Sequence, residues 1–371
     1  MAGITPLVMP KWGLEMREGV VNAWLVEEGE TIKSGQPVLE VETDKISGVV
    51  EAADPGILRR KTAEVGQRLP VKGLLGVLVD GEASDAEIDA FIAGYHVPAE
   101  ADEGEGEAAA SPYRRVEVDG ITVRHTDPGS GERVVLFLHG FGGDLDNWLF
   151  NLQPLSERYR AIALDLPGHG QSTISLPGTT VAELARFVVR FLDTIGVGSV
   201  HVVGHSLGGA IASQLALAAP ARVESLTLVS PAGLGDEIGM GYIDGFISSE
   251  SRRDLKPVAE MLFAKPELVT RQMLDDLLRY KRLDGVGELL RRLADGLWSG
   301  GRQAEQPGRR LGETGKRVRI IWGEQDRVVP AAHARNAPKE AKVTVFPDAG
   351  HMAMMERAAE VNALIREQVG S

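Results

Sequence analysis

Residues 199–209 read SVHVVGHSLGG, and the run AIASQLALAA follows at 210–219. Short apolar strand grammar passes through Gly204-His205-Ser206-Leu207-Gly208-Gly209 straight into a helical pattern. A Gly-x-Ser-x-Gly motif has mechanical meaning in this strand–turn–helix setting. The sharp turn tolerates only small neighbours, which accounts for Gly204, Gly208 and Gly209, and it lifts the Ser206 hydroxyl clear of the backbone.

The same grammar repeats on either side. RVVLFLHG (133–140), YRAIALDLPG (159–168), VESLTLVS (223–230), VRIIWG (318–323) and KVTVFPD (342–348) are short apolar runs ending in Gly, Asp, Ser or Pro. Helical patterns lie between them. This alternation, from about 113 to 371, predicts a mostly parallel sheet covered on both faces. Residues 236–310 interrupt it with helical, arginine-rich sequence, and predict a cap over the C-terminal edge of the strands, where such sheets place their sites.

Three of these strand ends complete a constellation with Ser206. HGFGGD (139–144) lets Phe141 present its backbone N–H beside that of Leu207, as a hole for a developing oxyanion. IIWGEQDRVVP places Asp326 after one strand, and FPDAGH places His351 in the loop after the next. Ser, then Asp, then His is an order that hydrolases use, with His351 taking the Ser206 proton and Asp326 orienting the imidazole. Other candidates read as structural. His205 and His139 pack or hydrogen-bond locally, Asp165 is a scaffold residue, and Asp348 lies too near His351 in sequence. His201 and His205 share a strand, so they lack the helical spacing of metal ligands, and no metal is expected. At every one of these motifs residues 113–371 resemble the α/β-hydrolase superfamily.

The first 80 residues speak differently. Short β-rich runs are punctuated by glycine, and EEGETIKSGQPVLEVE (27–42) is echoed by AEVGQRLPVKGLLGVLVD (63–80), with Gly29 matching Gly66. GVV recurs at 19–21 and 48–50. Two similar half-sheets in a small sandwich or flattened barrel follow from this. VLEVETDKISGVVEA reads as a hairpin with Thr43-Asp44-Lys45 at its tip, presenting Lys45 to water. SDAEIDAFIAGY (84–95) switches to helix grammar, with Ser84 and Glu87 as a capping box and Ile88, Phe91, Ile92 and Tyr95 on one stripe. VPAEADEGEGEAAASP then reads as a linker, spanning roughly 20 Å as a coil.

Composition narrows the class. The net charge is −13, and residues 81–112 carry nine acidic side chains with no lysine or arginine, so the acidity belongs to the connector. Nucleic acid is not an expected partner. The chain has no cysteine, hence neither disulfides nor thiolate metal sites. No apolar run approaches the roughly 20 residues of a membrane helix, the first residues lack a signal pattern, and a cytoplasmic protein is expected.

Residues 1–80, through GVVNAWLVEEGETIKSGQPVLEVETDKI, resemble the lipoyl domains of 2-oxoacid-type dehydrogenase complexes. The biotinyl domains of the same fold flank their lysine with methionine, whereas this one lies between Asp44 and Ile46. The resemblance implies lipoate on Lys45, whose reach the linker extends. A lipoyl domain fused to an α/β-hydrolase resembles, over essentially the whole chain, the acyltransferase component of acetoin dehydrogenase complexes. That implies three partners: a thiamine-diphosphate-dependent acetoin dehydrogenase component, a flavoprotein dihydrolipoyl dehydrogenase, and coenzyme A as acyl acceptor. A homo-oligomer is expected. Ordinary lipoyl acyltransferases carry a His-x-x-x-Asp-Gly signature, and the nearest match here has Tyr280 in place of the histidine, before Asp284-Gly285. Their subunit-binding domain is also missing, with only the helix at 84–95 in its place, to dock a partner or pack on its own chain. An acyl-serine route and direct transfer with His351 as base both fit, and a lipoyl-bearing thioester or ester hydrolase, or a carrier on a hydrolase scaffold, are the other classes. Basic clusters in the cap, such as Arg252, Arg253 and Lys256, or Arg279, Lys281 and Arg282, are candidates for meeting coenzyme A phosphates or, more plainly, for pairing with local carboxylates.

Overall fold

The computed structural model describes residues 3–12, 16–43, 47–81, 83–97 and 112–370. They form two compact units that divide between residues 111 and 112.

The first unit contains β1 (Gly3–Val8), β2 (Glu18–Trp24), β3 (Thr31–Ile32), β4 (Pro37–Glu42), β5 (Ser47–Glu51), β6 (Gly56–Lys61), β7 (Arg68–Pro70) and β8 (Leu74–Asp80). They make two four-stranded sheets, ordered β1-β8-β6-β3 and β5-β4-β2-β7. Exchanging each strand for the one four places along converts one sheet into the other, so the unit is a pseudo-twofold pair of halves. Gly29 and Gly66 are equivalent. Both have positive φ (+90° and +86°), and their N–H groups donate at 2.7 Å to Leu58 and Val21, on equivalent strands of the opposite halves. The GVV echo is different: it falls on β2 and β5, which the symmetry does not match, and reflects shared strand composition. Val21, Val38, Leu39, Val41, Leu58 and Leu75 lie between the sheets, at most 1% exposed. β4 and β5 pair antiparallel up to Glu42 opposite Ser47. Lys45 belongs to the connection between them and lies outside the described residues.

Helix α1 (Asp85–Gly94) starts at the Ser84/Glu87 capping box, as its sequence requires. It packs on its own unit. Ile88 is fully buried against Val77 and Val79, with Phe91 and Ile92 beside it, and the Tyr95 hydroxyl donates to the Lys72 carbonyl at 2.7 Å.

In the second unit β9 (Tyr113–Val118), β10 (Ile121–Thr126), β11 (Val134–Leu138), β12 (Arg160–Leu164), β13 (Val200–His205) and β14 (Val223–Val229) precede the cap. With them run α2 (Leu149–Ser156), α3 (Val181–Thr194) and α4 (Leu207–Ala218). The cap comprises α5 (Met240–Ser248), α6 (Arg252–Ala259), α7 (Arg271–Lys281), α8 (Val286–Leu297) and a small hairpin, β15 (Trp298–Ser299) and β16 (Arg302–Gln303). After it come β17 (Arg317–Gly323), β18 (Lys342–Phe346), α9 (Ala353–Glu356) and α10 (Ala358–Gly370). The sheet runs β18-β17-β14-β13-β11-β12-β10-β9, parallel from β18 to β12 and antiparallel beyond. All six apolar runs named above are strands of it. The central β13 is buried at every residue, as a strand covered on both faces must be. The β9–β10 hairpin went unread from sequence, although it carries a strong short-range signal: Asp119-Gly120, both at positive φ, between alternating runs.

Candidate active site

Ser206 joins β13 to α4 with φ 52° and ψ −117°, a strained conformation for a residue with a side chain. The surrounding glycines make the turn possible. A Cβ at Gly204 would sit 2.4 Å from the Gly208 carbonyl oxygen, one at Gly208 2.2 Å from that of Leu138, and one at Gly209 2.6 Å from the Pro231 ring. The elbow is therefore set between β11 and β14 with no room to relax.

Asp326 and His351 are brought together by the loops after β17 and β18. His351 Nδ1–H donates to Asp326 Oδ2 at 2.8 Å, with the two side chains 2% and 0% exposed. Asp326 is itself fixed: Oδ1 accepts the Val328 and Val329 N–H groups at 2.8 and 2.9 Å, and Oδ2 accepts the Trp322 indole at 3.0 Å. With Nδ1 committed to Asp326, Nε2 is the ring nitrogen left to exchange a proton. His205 links this pair to the elbow. Its Nε2–H donates to the His351 carbonyl at 3.1 Å, and the two rings lie 4.6 Å apart. No hydrogen bond joins the Ser206 hydroxyl to the His351 ring among the described residues.

Phe141 and Leu207 have N–H groups without partners among the described residues, while the backbone around both is tied down. A Cβ on Gly140 would come within 3.0 Å of the Ser206 Cβ, so the loop carrying Phe141 lies against the elbow. His139 anchors that loop: its Nδ1–H donates to Gly140 at 2.7 Å and Nε2 accepts the Leu166 N–H at 2.9 Å. Enclosure pushes its pKa down to about 4, so it stays neutral. Asp165 holds the same loop from the other side. It accepts the Leu145 N–H at 2.9 Å and the Gln171 N–H at 2.7 Å, and it pairs with Arg124 through two bonds of 2.6 and 3.1 Å. His139, His205 and Asp165 are thus scaffold. The cap closes over Phe141, whose ring meets Trp298 edge-on at 5.1 Å and Phe246 at 6.3 Å. Tyr280, at the position of the signature histidine, donates its hydroxyl to the Gly168 carbonyl at 2.7 Å.

Most basic residues of the cap clusters pair locally. Lys256 meets Glu260 at 2.9 Å, Arg279 meets Asp276 at 2.7 Å, Arg291 meets Asp244 at 2.7 Å and Arg310 meets Glu313 at 2.8 Å, while Arg252 pairs with Asp275. Sequence reading missed Arg124, Arg327 and Glu356, whose partners lie far away along the chain. No group of metal-ligating side chains occurs among the described residues, and no helix there is long and apolar enough to cross a membrane.

Residues 133–358 match the family described as alpha/beta hydrolase fold, and residues 5–78 the family described as Biotin-requiring enzyme. The chain is a lipoyl-type domain joined to an α/β hydrolase with a helical cap. It is 60% identical to the dihydrolipoyllysine-residue acetyltransferase component of the acetoin cleaving system of Cupriavidus necator, over 99% of this chain and 98% of that one. It is 46% identical to the component of that name in Pseudomonas putida, over 98% and 97%. The chain belongs to this family of acetyltransferase components. The second unit shares its fold with a meta-cleavage product hydrolase from Pseudomonas fluorescens IP01, which is 22% identical with a TM-score of 0.63, over 69% of this chain and 97% of that one.

Proposed function

We propose that this chain moves an acetyl group from a lipoyl arm on Lys45 to coenzyme A, using Ser206, His351 and Asp326. The observation that carries the reading is one chain holding both a hairpin with a lysine in its connection and a strained serine elbow beside a buried Asp–His pair. Whole-length identity to acetyltransferase components of acetoin cleaving systems supports the acyl group and the setting.

The β4–β5 hairpin fits lipoate: its ladder closes at Glu42 and Ser47, leaving a short connection that holds Lys45. Lipoate, amide-linked there, supplies a dithiol that carries an acyl group as a thioester at the end of a long arm. The remaining chemistry belongs to the second unit. Ser206 Oγ attacks the thioester carbonyl as its proton passes to His351 Nε2, and the oxyanion settles on the Phe141 and Leu207 N–H groups. His351 gives its proton to the departing sulfur as the carbon–sulfur bond breaks, and Ser206 is left as an acetyl ester. The coenzyme A thiol then gives its proton to His351 and attacks the ester, and Ser206 leaves with that proton. Asp326 keeps Nδ1 protonated throughout and stabilises the imidazolium. Phe246 and Trp298 cover the oxyanion loop, which helps exclude competing water. The partners in this reading are a thiamine-diphosphate component that loads the arm and a flavoprotein that reoxidises it, in the cytoplasm, with this chain as a homo-oligomer.

The test uses full-length lipoylated protein, acetylated on its reduced arm, with and without coenzyme A. Acetyl-coenzyme A should form rapidly, with little free acetate when coenzyme A is present. Free acetate at the same rate in both would make the protein a hydrolase. Ser206→Ala and His351→Ala should each remove roughly 10⁴–10⁶ of turnover, without adding. Transfer that survives Ser206→Ala but not His351→Ala would replace the acyl-serine with direct attack.

A further inference from the structure

The cap segment from Glu260 to Ala264, between α6 and α7, is fastened to both loops that carry the Asp–His pair. Arg327, next to Asp326, donates from Nη2 to the Glu260 carbonyl at 2.6 Å and the Phe263 carbonyl at 2.8 Å. Met352, next to His351, donates its N–H to the Leu262 carbonyl at 3.1 Å. Glu356 completes the fastening. Its Oε1 accepts the Ala264 N–H at 2.8 Å and its Oε2 accepts the Gly350 N–H at 2.6 Å. One carboxylate therefore holds the cap and the residue immediately before His351.

The packing here leaves Gly350 no alternative position. A Cβ on it would lie 2.7 Å from the Ala264 nitrogen, and a Cβ on Gly323 would lie 2.1 Å from the Gly350 carbonyl oxygen. The His351 loop is wedged between the end of β17 and the cap, with Glu356 as the clasp. Two N–H donors converging on one side chain demand an acceptor at both oxygens, which an ionised carboxylate provides and an amide does not. A glutamine would turn an NH₂ group toward one of the donors and release that side.

We propose that Glu356 is a positioning residue for His351: its carboxylate couples the seating of the cap segment to the alignment of the imidazole with Asp326. The cap is then more than a lid. Its seating at Ala264 and the seating of Gly350, the residue before His351, share one carboxylate. This inference rests on the reading of Ser206, His351 and Asp326 as the catalytic group.

The full-length chain is assayed with 4-nitrophenyl acetate, with the downfield ¹H resonance of the His351 Nδ1–H recorded in parallel and assigned by its loss in His351→Ala. Glu356→Gln should lower kcat roughly 10- to 100-fold with KM nearly unchanged, the size expected when a catalytic group is slightly misplaced. The Nδ1–H resonance should broaden or shift, while the thermal midpoint stays within a few degrees. Should the glutamine variant not fold, Glu356→Asp keeps the charge but is too short to span both donors, and the same split is expected. A folded variant with unchanged kcat overturns the proposal, and so does a loss of kcat with the resonance intact. Ser206→Ala and His351→Ala separate the two readings. If either retains turnover, the catalytic assignment fails; if both lose it while Glu356→Gln does not, only the role of Glu356 fails.

Discussion

Asp165 and Asp326 are near twins in their setting. Each follows a parallel strand at the C-terminal edge of the sheet, each has a side chain 0% exposed, and each accepts two backbone N–H groups. They differ in the cation they face. Asp165 meets Arg124, a guanidinium that is always charged, whereas Asp326 meets His351, which is charged only when it holds a second proton. A fixed counter-charge makes a strut. A counter-charge that comes and goes with a proton suits the role proposed for the Asp326–His351 pair.

The sharpest attempt to break this contrast replaces each aspartate by asparagine. Asp326→Asn keeps the shape but stops dictating which imidazole nitrogen carries the proton, so kcat should fall roughly 10³- to 10⁴-fold with a small change in stability. Asp165→Asn leaves Arg124 buried, with Asp146 at 3.6 Å as its remaining ion partner. That should cost about 3 kcal/mol or more of unfolding free energy, while the folded fraction keeps most of its turnover. Urea melts and ester turnover on both variants decide the matter, and an exchange of the two phenotypes would dissolve the distinction.

Histidines sharpen it further, because the scaffold ones are held neutral. Burial pushes His139 down to about 4; burial, and His139 beside it, push His169 down to about 3; burial, and His351 beside it, hold His205 well below its usual range. Below about 6.5 the unfolded chain binds protons that these rings refuse, so stability is full above 6.5 and is lost as the pH falls toward 4. Asp144 acts oppositely. Burial first, then Asp146 and Asp165, raise it to about 7, so the folded state binds its proton earlier and gains stability as the pH falls from 7 toward 3.8. Unfolding free energy followed by urea melts from pH 7 to 5 should therefore fall. His139→Asn should flatten the slope by about 1.4 kcal/mol per pH unit, and Asp144→Asn should steepen it by a similar amount. Identical slopes in all three proteins would remove the protonation argument.

Much of this was legible in the residues, for local reasons. An elbow needs small residues at fixed offsets from Ser206, a capping box needs Ser84 and Glu87 three apart, and buried parallel strands need continuous apolar runs. The Asp326–His351 pairing was readable because both residues follow strands in an order that topology constrains. What escaped notice depends on distant partners. Nothing near Arg124 announces Asp165, and nothing near Glu356 announces the Ala264 N–H, because the fold alone brings these segments together. The cap arginines fit the plainer of their two readings, although only the fold shows which carboxylates neighbouring helices bring opposite them: Asp275 for Arg252 and Asp244 for Arg291. The β9–β10 hairpin was missed although its Asp119-Gly120 turn was in plain view.

An anchor without charge calibrates the scale on which these buried pairs are judged. Helix α1 is too short to be stable alone, so its order must come from packing. Ile88 is its only fully buried side chain, set against Val77 and Val79 on β8, whereas Phe91 and Ile92 are half-buried at the margin. Ile88→Ala should cost about 2–3 kcal/mol, near the low end for such a truncation because the surrounding cluster is small and can partly collapse. Phe91→Ser and Ile92→Ser should cost less. No titratable group is lost, so the deficit should be the same at pH 7 and pH 5, unlike that of His139→Asn. Turnover of a small ester in the second unit should be unaffected. Urea melts of the full-length protein, read from the indoles of Trp12 and Trp24 in the first unit against those of the second, provide the measurement. A loss below about 0.5 kcal/mol for Ile88→Ala would mean that α1 contributes nothing to the first unit, and that its stripe serves another surface.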